Sequence, residues 1–169
     1  KLSSNIVNFC RKNNVNELVL SSNLSFAKTK GDIKSSKKNQ QHFYQIPFGR
    51  LLALIKQKCE EIGIKVEDVD EAHTSKSSCI YGDVNKMQAL SKTQKLSTTD
   101  YKGSRVERGM YRDKIINKII NADLNGAVNH IKLAHVKKCF KWLKYWLFKV
   151  ANPIKVKSND EFSRLLAAA

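Results

Sequence analysis

The four cysteines of this chain never come in pairs: Cys10, Cys59, Cys79 and Cys139 are far apart. With no Cys-x-x-Cys, a zinc ribbon lacks its usual ligand spacing. Cys10, Cys59 and Cys139 each sit among apolar residues at helical spacing, which reads as small core side chains in a reducing compartment rather than ligands or disulfide partners. Acids are scarce too: 15 Asp and Glu stand against 31 Lys and Arg, giving a net charge of +16 and a pI near 9.8. An imbalance this large favours a polyanionic partner, nucleic acid first, over a merely solvated lysine-rich surface. No apolar run approaches the length needed to span a bilayer, and no signal-peptide pattern is present. A membrane surface is the other electrostatic option, and no membrane partner is expected.

What is present suffices for one domain with an appended piece: 41% of the 169 residues are apolar. Residue 1 is Lys, and Leu2, Ile6, Val7 and Phe9-Cys10 already recur at helical spacing. The chain is therefore expected to be the C-terminal part of something longer. Ala167-Ala168-Ala169 carries no packing signal and reads as an added or frayed tail. After the first helix, Asn13-Asn14 supplies a turn, and Glu17 to Ser21 reads as a short buried strand. Residues 22–41 form a polar loop carrying Lys28, Lys30, Lys34, Lys37 and Lys38; it reads equally as a phosphate-contacting loop or a solvated one.

A helix follows, with Pro47 in its first turn and Gly63 as its C-terminal cap. Its apolar face is Phe48, Leu51, Leu52, Leu54, Ile55, Cys59 and Ile62. Ile64 to Val69 alternates apolar and polar, the pattern of a second strand, and Glu71 lies just past its end. Strand, helix, strand predicts a parallel pair with a crossover helix, and ligand chemistry in such sheets gathers at the carboxyl ends of the strands. From Cys79 to Ile120 the pattern weakens, as in an insertion, with Ser104 to Arg112 as an ordered-looking island. A last helix is predicted from Ala122 to Lys137, with Leu124, Ala127, Val128, Ile131, Leu133 and Ala134 as its apolar set, packed on the sheet of the first two strands. Beyond it, aromatic residues alternate with Lys137, Lys138, Lys141, Lys144 and Lys149, a pattern of either stacking on nucleic acid or an amphipathic helix packing on the core.

Glu71 ends a strand and Asp123 opens a helix in this basic chain. Carboxylates at element ends suit Mg²⁺, a hard cation that keeps positions open for water and phosphate. A helix-capping Asp and a solvated strand-end Glu explain the same positions.

Three strings, in this order and at this spacing, carry a family resemblance. They are Val69-Asp70-Glu71-Ala72-His73-Thr74-Ser75-Lys76, Arg105-Val106-Glu107-Arg108-Gly109-Met110-Tyr111-Arg112 and Asn121-Ala122-Asp123-Leu124-Asn125-Gly126-Ala127-Val128-Asn129. They resemble the C-terminal half of TnpB, the insertion-sequence protein also called OrfB or probable transposase, a relative of the compact type V CRISPR effectors. Val19-Leu20-Ser21-Ser22-Asn23 and Gln45 to Leu51 resemble family segments as well, so the likeness runs over roughly residues 3–166.

The resemblance implies an α/β fold: a partial RNase H-like (RuvC-type) nuclease domain with a degenerate insertion at the zinc-ribbon position and a C-terminal helical extension. On this basis 1–78 is the sheet part of the core, 79–120 the insertion, 121–137 a core helix and 138–169 the basic aromatic extension. It implies a C-terminal fragment of a transposon-associated, RNA-guided DNA endonuclease, with DNA and a transposon-encoded guide RNA as partners. Mg²⁺ or Mn²⁺ would be the cofactor, and a cytoplasmic, nucleoid-associated place in a bacterium or archaeon is implied. Asp123 matches the third acidic motif of the family. Many members carry the second acid just after the strand matching Leu18 to Leu20, where Ser21-Ser22 stands here, and the assignment passes to Glu71. The first acid has no counterpart. Glu71 and Asp123 are therefore the expected catalytic and metal-binding residues, with carboxyl groups roughly 4–8 Å apart so as to share metals. Lys28, Lys30, Lys34, Lys37, Lys38, Arg50, Lys76, Arg105, Arg108 and Arg112 are the expected nucleic-acid contacts. The ribbon retains Cys79 without a partner at Ile80-Tyr81-Gly82, and zinc is not expected. The other reading is a basic nucleic-acid-binding remnant of a decayed element, without activity.

Overall fold

A computed structural model describes residues 1–22 and 47–135. Contacts divide the described residues into two compact units that meet at Asp68 and Val69 in sequence.

The first unit holds α1 (Leu2–Lys12), β1 (Glu17–Ser21), α2 (Phe48–Glu61) and β2 (Lys65–Val69). Both helices stop in the same way. After α1, Asn14 takes a positive φ of 51°, Asn14 N–H donates to Arg11 O (3.2 Å) and Val15 N–H to Cys10 O (2.9 Å). After α2, Gly63 takes a φ of 73°, Gly63 N–H donates to Glu60 O (3.1 Å) and Ile64 N–H to Cys59 O (2.8 Å). This is the Schellman pattern, which turns the chain through one left-handed residue and satisfies the last carbonyls. Each stop drops the next apolar residue, Val15 or Ile64, onto the core beside the cysteine that accepts its N–H. Val7, Cys10, Ile55, Cys59 and Ile64 form that core, with α1 packed on α2. Pro47 is the N-cap of α2 rather than a first-turn residue, with Leu51 N–H donating to its carbonyl (3.0 Å).

β1 and β2 pair as a two-stranded sheet. Their starts adjoin: Lys65 N–H donates to Asn16 O (3.0 Å), and Lys65 Nζ reaches both Glu17 Oε1 and Glu67 Oε2 at 3.0 Å. Their ends adjoin too, since Ser21 and Asp68 line one cleft with Leu52 and Lys56. The strands therefore run parallel, as expected, with α2 as the connection. Two residues of the expected α2 face depart from it: Leu54 and Ile62 are exposed, because the buried stripe is the narrower Leu52, Ile55, Cys59 row.

The second unit holds α3 (Val84–Ser91), a 3₁₀ turn (Thr98–Asp100), β3 (Gly103–Glu107), β4 (Met110–Asp113), β5 (Lys118–Asn121) and α4 (Ala122–Ala134). Asp83 caps α3, accepting Lys86 N–H on Oδ1 at 3.0 Å. The three strands form an antiparallel meander, with Arg105 opposite Tyr111 and Tyr111 opposite Ile120. The weakly patterned stretch after Cys79 is thus ordered, and it builds a core of its own from Cys79, Tyr111, Ile120 and Ala122, with Ile80, Leu124 and Val128 against it. Within this unit α4 packs on β4 and β5, where Ala122, Leu124 and Val128 meet Tyr111 and Ile120. The helix ends at Ala134, earlier than expected. Its buried positions also differ from the expected apolar set: Asn125 and Asn129 are inside with Ala122, while Ala127 and Ile131 are exposed.

The lysine loop with Lys28, Lys30, Lys34, Lys37 and Lys38, as well as Cys139 and the basic aromatic extension, lies outside the described residues.

Candidate nucleic-acid interface

The turn that follows β2, residues 70–78, is the centre of the second unit. It has no regular ladder to satisfy its carbonyls, so side chains do so from three sides. Gln88 of α3 donates through Nε2 to Asp70 O (3.1 Å) and Ala72 O (2.9 Å). Tyr111 of β4 donates its hydroxyl to Lys76 O (2.8 Å). Asn125 and Asn129 of α4 donate through Nδ2 to Ser77 O at 2.9 and 2.8 Å, and Asn129 also to Thr74 O at 2.9 Å. Asn125 Oδ1 in turn accepts Cys79 N–H (2.8 Å). Both asparagines are 0% exposed. Buried polar groups of this kind specify one arrangement when they are satisfied.

His73 sits inside the turn with a positive φ of 65°, a conformation uncommon for a residue with a Cβ. Its carbonyl accepts Lys76 N–H (3.1 Å) and Ser77 N–H (2.9 Å), closing the turn. Its Nδ1 lies 2.6 Å from Tyr101 Oη, and the two rings stack. The turn leaves Ser75 and Lys76 outside, where they line a cleft of about 370 Å³ with Ser97, Tyr101, Ser104 and Arg105. Two cations and the hydroxyls of Ser75, Ser97, Thr98 and Ser104 suit a phosphodiester.

Asp123 is at the first turn of α4, where Asn121 rather than Asp123 is the cap: Asn121 Oδ1 accepts Asp123 N–H (3.0 Å) and Leu124 N–H (2.9 Å). Relieved of capping, the Asp123 side chain is 87% exposed and its Oδ1 lies 3.8 Å from Arg105 Nη2. Glu71 follows β2, as expected, and its charge acts on His130, which lies two turns along α4 from Asp123. Seven residues of helix span about 10 Å. Burial holds the His130 imidazole below its usual range, with Glu71 opposing that shift, and His130 Nε2 is buried with no hydrogen-bond partner among the described residues. The structure thus brings Asp123 to Arg105 and sets Arg105 and Lys76 on one cleft. Among the described residues no three of His, Cys, Asp and Glu converge as a metal site.

Of the other expected contacts, Arg50 is exposed on α2 in the first unit. Arg108 and Arg112 are exposed in the second. Arg105 pairs with Tyr111 and Ser104 with Arg112, so Arg105 and Arg112 point to opposite faces of the sheet. The expected cations therefore do not make one stripe.

Sequence reasoning missed Asn125 and Asn129. The available signal was their spacing: two asparagines four apart share one helix face, and here that face also carries Ala122.

The comparison with known families falls on this same region. Residues 48–130 match the family described as "Cas12f1-like, TNB domain". The match takes in just under half of the chain and includes Glu71, Lys76, Arg105 and Asp123. Among solved structures, "Cryo-EM structure of the Cas12f1-sgRNA-target DNA complex" is similar at 21% identity and a TM-score of 0.46, over 90% of this chain and 32% of that one. The chain thus spans about a third of the length of that relative. No curated protein matches. No helix among the described residues is long and apolar enough to cross a membrane.

Proposed function

We propose that this chain is part of an RNA-guided, metal-dependent DNA endonuclease of the TnpB and Cas12f1 kind, associated with a transposon, and that its second unit holds nucleic acid beside the reacting strand. The observation that carries the reading is the anchoring of the Glu71–Lys76 motif on the Asp123 helix by Asn125 and Asn129. Three separate motifs of the sequence become one construction around a cleft lined by Lys76 and Arg105. The Cas12f1-like match over residues 48–130 supports it.

In this reading Lys76 and Arg105 take phosphates, and Lys28, Lys30, Lys34, Lys37 and Lys38 add to the net charge of +16 that favours a polyanion. Glu71 and Asp123 would be two of the acids holding Mg²⁺ or Mn²⁺, whose chemistry there would be activation of a water and stabilisation of the leaving oxygen. Arg105, 3.8 Å from the Asp123 carboxyl, is placed to serve a phosphate. The partners are target DNA and a transposon-encoded guide RNA, in the cytoplasm of the host.

One observation favours the second reading, a non-catalytic nucleic-acid-binding remnant. Ser21 ends β1 at the position where the resemblance places an acid. The test separates the two. The 169-residue chain should bind single-stranded DNA with strong salt dependence and should not cut it in Mg²⁺ or Mn²⁺, since two carboxylates hold two metals poorly. The full-length parent should cut, and lose cutting on Glu71→Ala or Asp123→Ala. A parent that cuts equally well as Glu71→Ala sinks the glutamate assignment; one that never cuts supports the remnant.

A further inference from the structure

Two five-residue turns of the second unit repeat the same construction. In Ser78–Gly82, Ser78 Oγ accepts Ile80 N–H and Tyr81 N–H, both at 3.1 Å. In residues 113–117, Asp113 Oδ1 accepts Ile115 N–H (2.8 Å) and Ile116 N–H (3.2 Å). Each turn thus folds the N–H groups two and three residues on around the side chain of its first residue. Each also ends on a residue fitted to a tight reversal. A Cβ on Gly82 would lie 2.5 Å from Ser78 O, and Asn117 takes a positive φ of 49°. The two first residues face each other: Ser78 Oγ donates to Asp113 Oδ2, and both are 0% exposed.

Facing turns whose N–H groups converge on a buried side chain are what a closed structural metal site is made of when the first and fourth residues of each turn are thiolates. Whether zinc fits this ribbon position can therefore be tested against the chain's own side chains. The first positions are Ser78 and Asp113; the fourth are Tyr81, which is exposed, and Ile116, which has no donor atom. One hydroxyl and one carboxyl do not meet zinc's demand for four nitrogen or sulfur donors. Cys79, the one cysteine among the described residues of this unit, is not a first or fourth residue. It packs against Tyr111, Ile120 and Ala122, and burial pushes its thiol up to about 11, so it stays protonated at neutral pH.

We propose that the Ser78–Asp113 hydrogen bond is a metal-free clasp standing where a structural metal ion would join the two turns, so that the second unit folds without metal. The clasp joins residues 35 positions apart, closing the same loop an ion would close. Its buried oxygens are fully used by four backbone N–H groups and each other, which is why the carboxyl can be inside at all. The turns keep a metal-site backbone with the ligands exchanged.

The test uses the 169-residue chain. Metal analysis of purified protein should return no bound zinc, and a strong chelator should leave its Tm unchanged. Ser78→Ala and Asp113→Asn should each lower Tm by roughly 5–15 °C, because each strands buried N–H or O–H groups. The fourfold variant S78C/Y81C/D113C/I116C should take up one Co²⁺ per chain with the thiolate charge-transfer and d–d bands of a tetrahedral site. Stoichiometric zinc in the unsubstituted protein, with a Tm that falls on chelation, overturns the proposal even if the single variants fail to fold. So does a Tm unmoved by Ser78→Ala and Asp113→Asn. A fourfold variant that takes up no Co²⁺ overturns the metal-site backbone.

Discussion

Asn125 and Asn129 look interchangeable, one turn apart on α4 and both buried, yet their removal should cost very different amounts. Asn125→Ala takes away the acceptor of Cys79 N–H and one of two donors to Ser77 O. Ser77 O keeps Asn129, but Cys79 N–H is left in an apolar pocket with its acceptor gone. An orphaned buried donor costs about 1–3 kcal/mol, and the void left by the amide adds to it, so about 2–4 kcal/mol is expected. Asn129→Ala strands nothing comparable. Ser77 O keeps Asn125 at 2.9 Å, and Thr74 O keeps it at 3.5 Å. Asn129 Oδ1 is itself buried without a partner among the described residues, so its removal relieves a burden. Its cost should be about 0.5–1.5 kcal/mol. For a unit of this size each kcal/mol moves Tm by roughly 4–8 °C, so at the centres of these ranges the two variants should separate by about 8–16 °C. Hydrogen exchange gives the local reading: amides of residues 74–79 should lose protection in Asn125→Ala and largely keep it in Asn129→Ala. Equal losses, or a worse Asn129→Ala, would refute the accounting of donors and acceptors around this turn.

Lys76→Ala and Arg105→Ala should each weaken single-stranded DNA binding at all sequences and reduce the slope of log K against log salt by about 1, read by fluorescence anisotropy across a salt series; unchanged slopes would remove the cleft from the interface. His130 carries a lowered folded-state pKa, so the unfolded chain binds its proton more readily; stability should therefore fall as pH drops below about 6.5 and through the folded value, and His130→Gln should flatten the decline in urea midpoints between about pH 6.5 and 5. Ile55→Ala in the core of the first unit should cost about 2–5 kcal/mol through transfer and cavity terms, measured by denaturant unfolding, whereas Leu54→Ala on the exposed side of the same helix should stay within about 1 kcal/mol.

The first unit was largely legible in the sequence because its elements obey simple periods. Leu52, Ile55 and Cys59 recur at helical spacing, Ile64 to Val69 alternates, and Gly63 and Asn14 mark the stops by chemistry that few other residues offer. The second unit was not, because its interior is partly polar. Asp113, Ser78, Asn125 and Asn129 are all buried, and each would be assigned to the surface by composition. Its strands are four or five residues long and show Val106, Met110 and Ile119 to solvent, so no alternation survives. The helix at Ala122 was found by its start, and its inner face was misread because the two asparagines interrupt the apolar stripe. The motif strings located Glu71, Lys76, Arg105 and Asp123 without saying what holds them. Pairings such as Asp123 with Arg105 depend on strand register, which no local pattern encodes.

The burial of Cys10, Cys59 and Cys79 gives the chain a pair of built-in clocks. Alkylation needs both access and thiolate, and burial denies access to all three while holding each thiol above its ordinary range. A maleimide added to folded protein can then react only during excursions that open the structure around the thiol. Cys10 and Cys59 report openings of the first unit and Cys79 those of the second, and peptide mass tells them apart. Labelling rates followed against denaturant would show whether the two units breathe on one schedule or two.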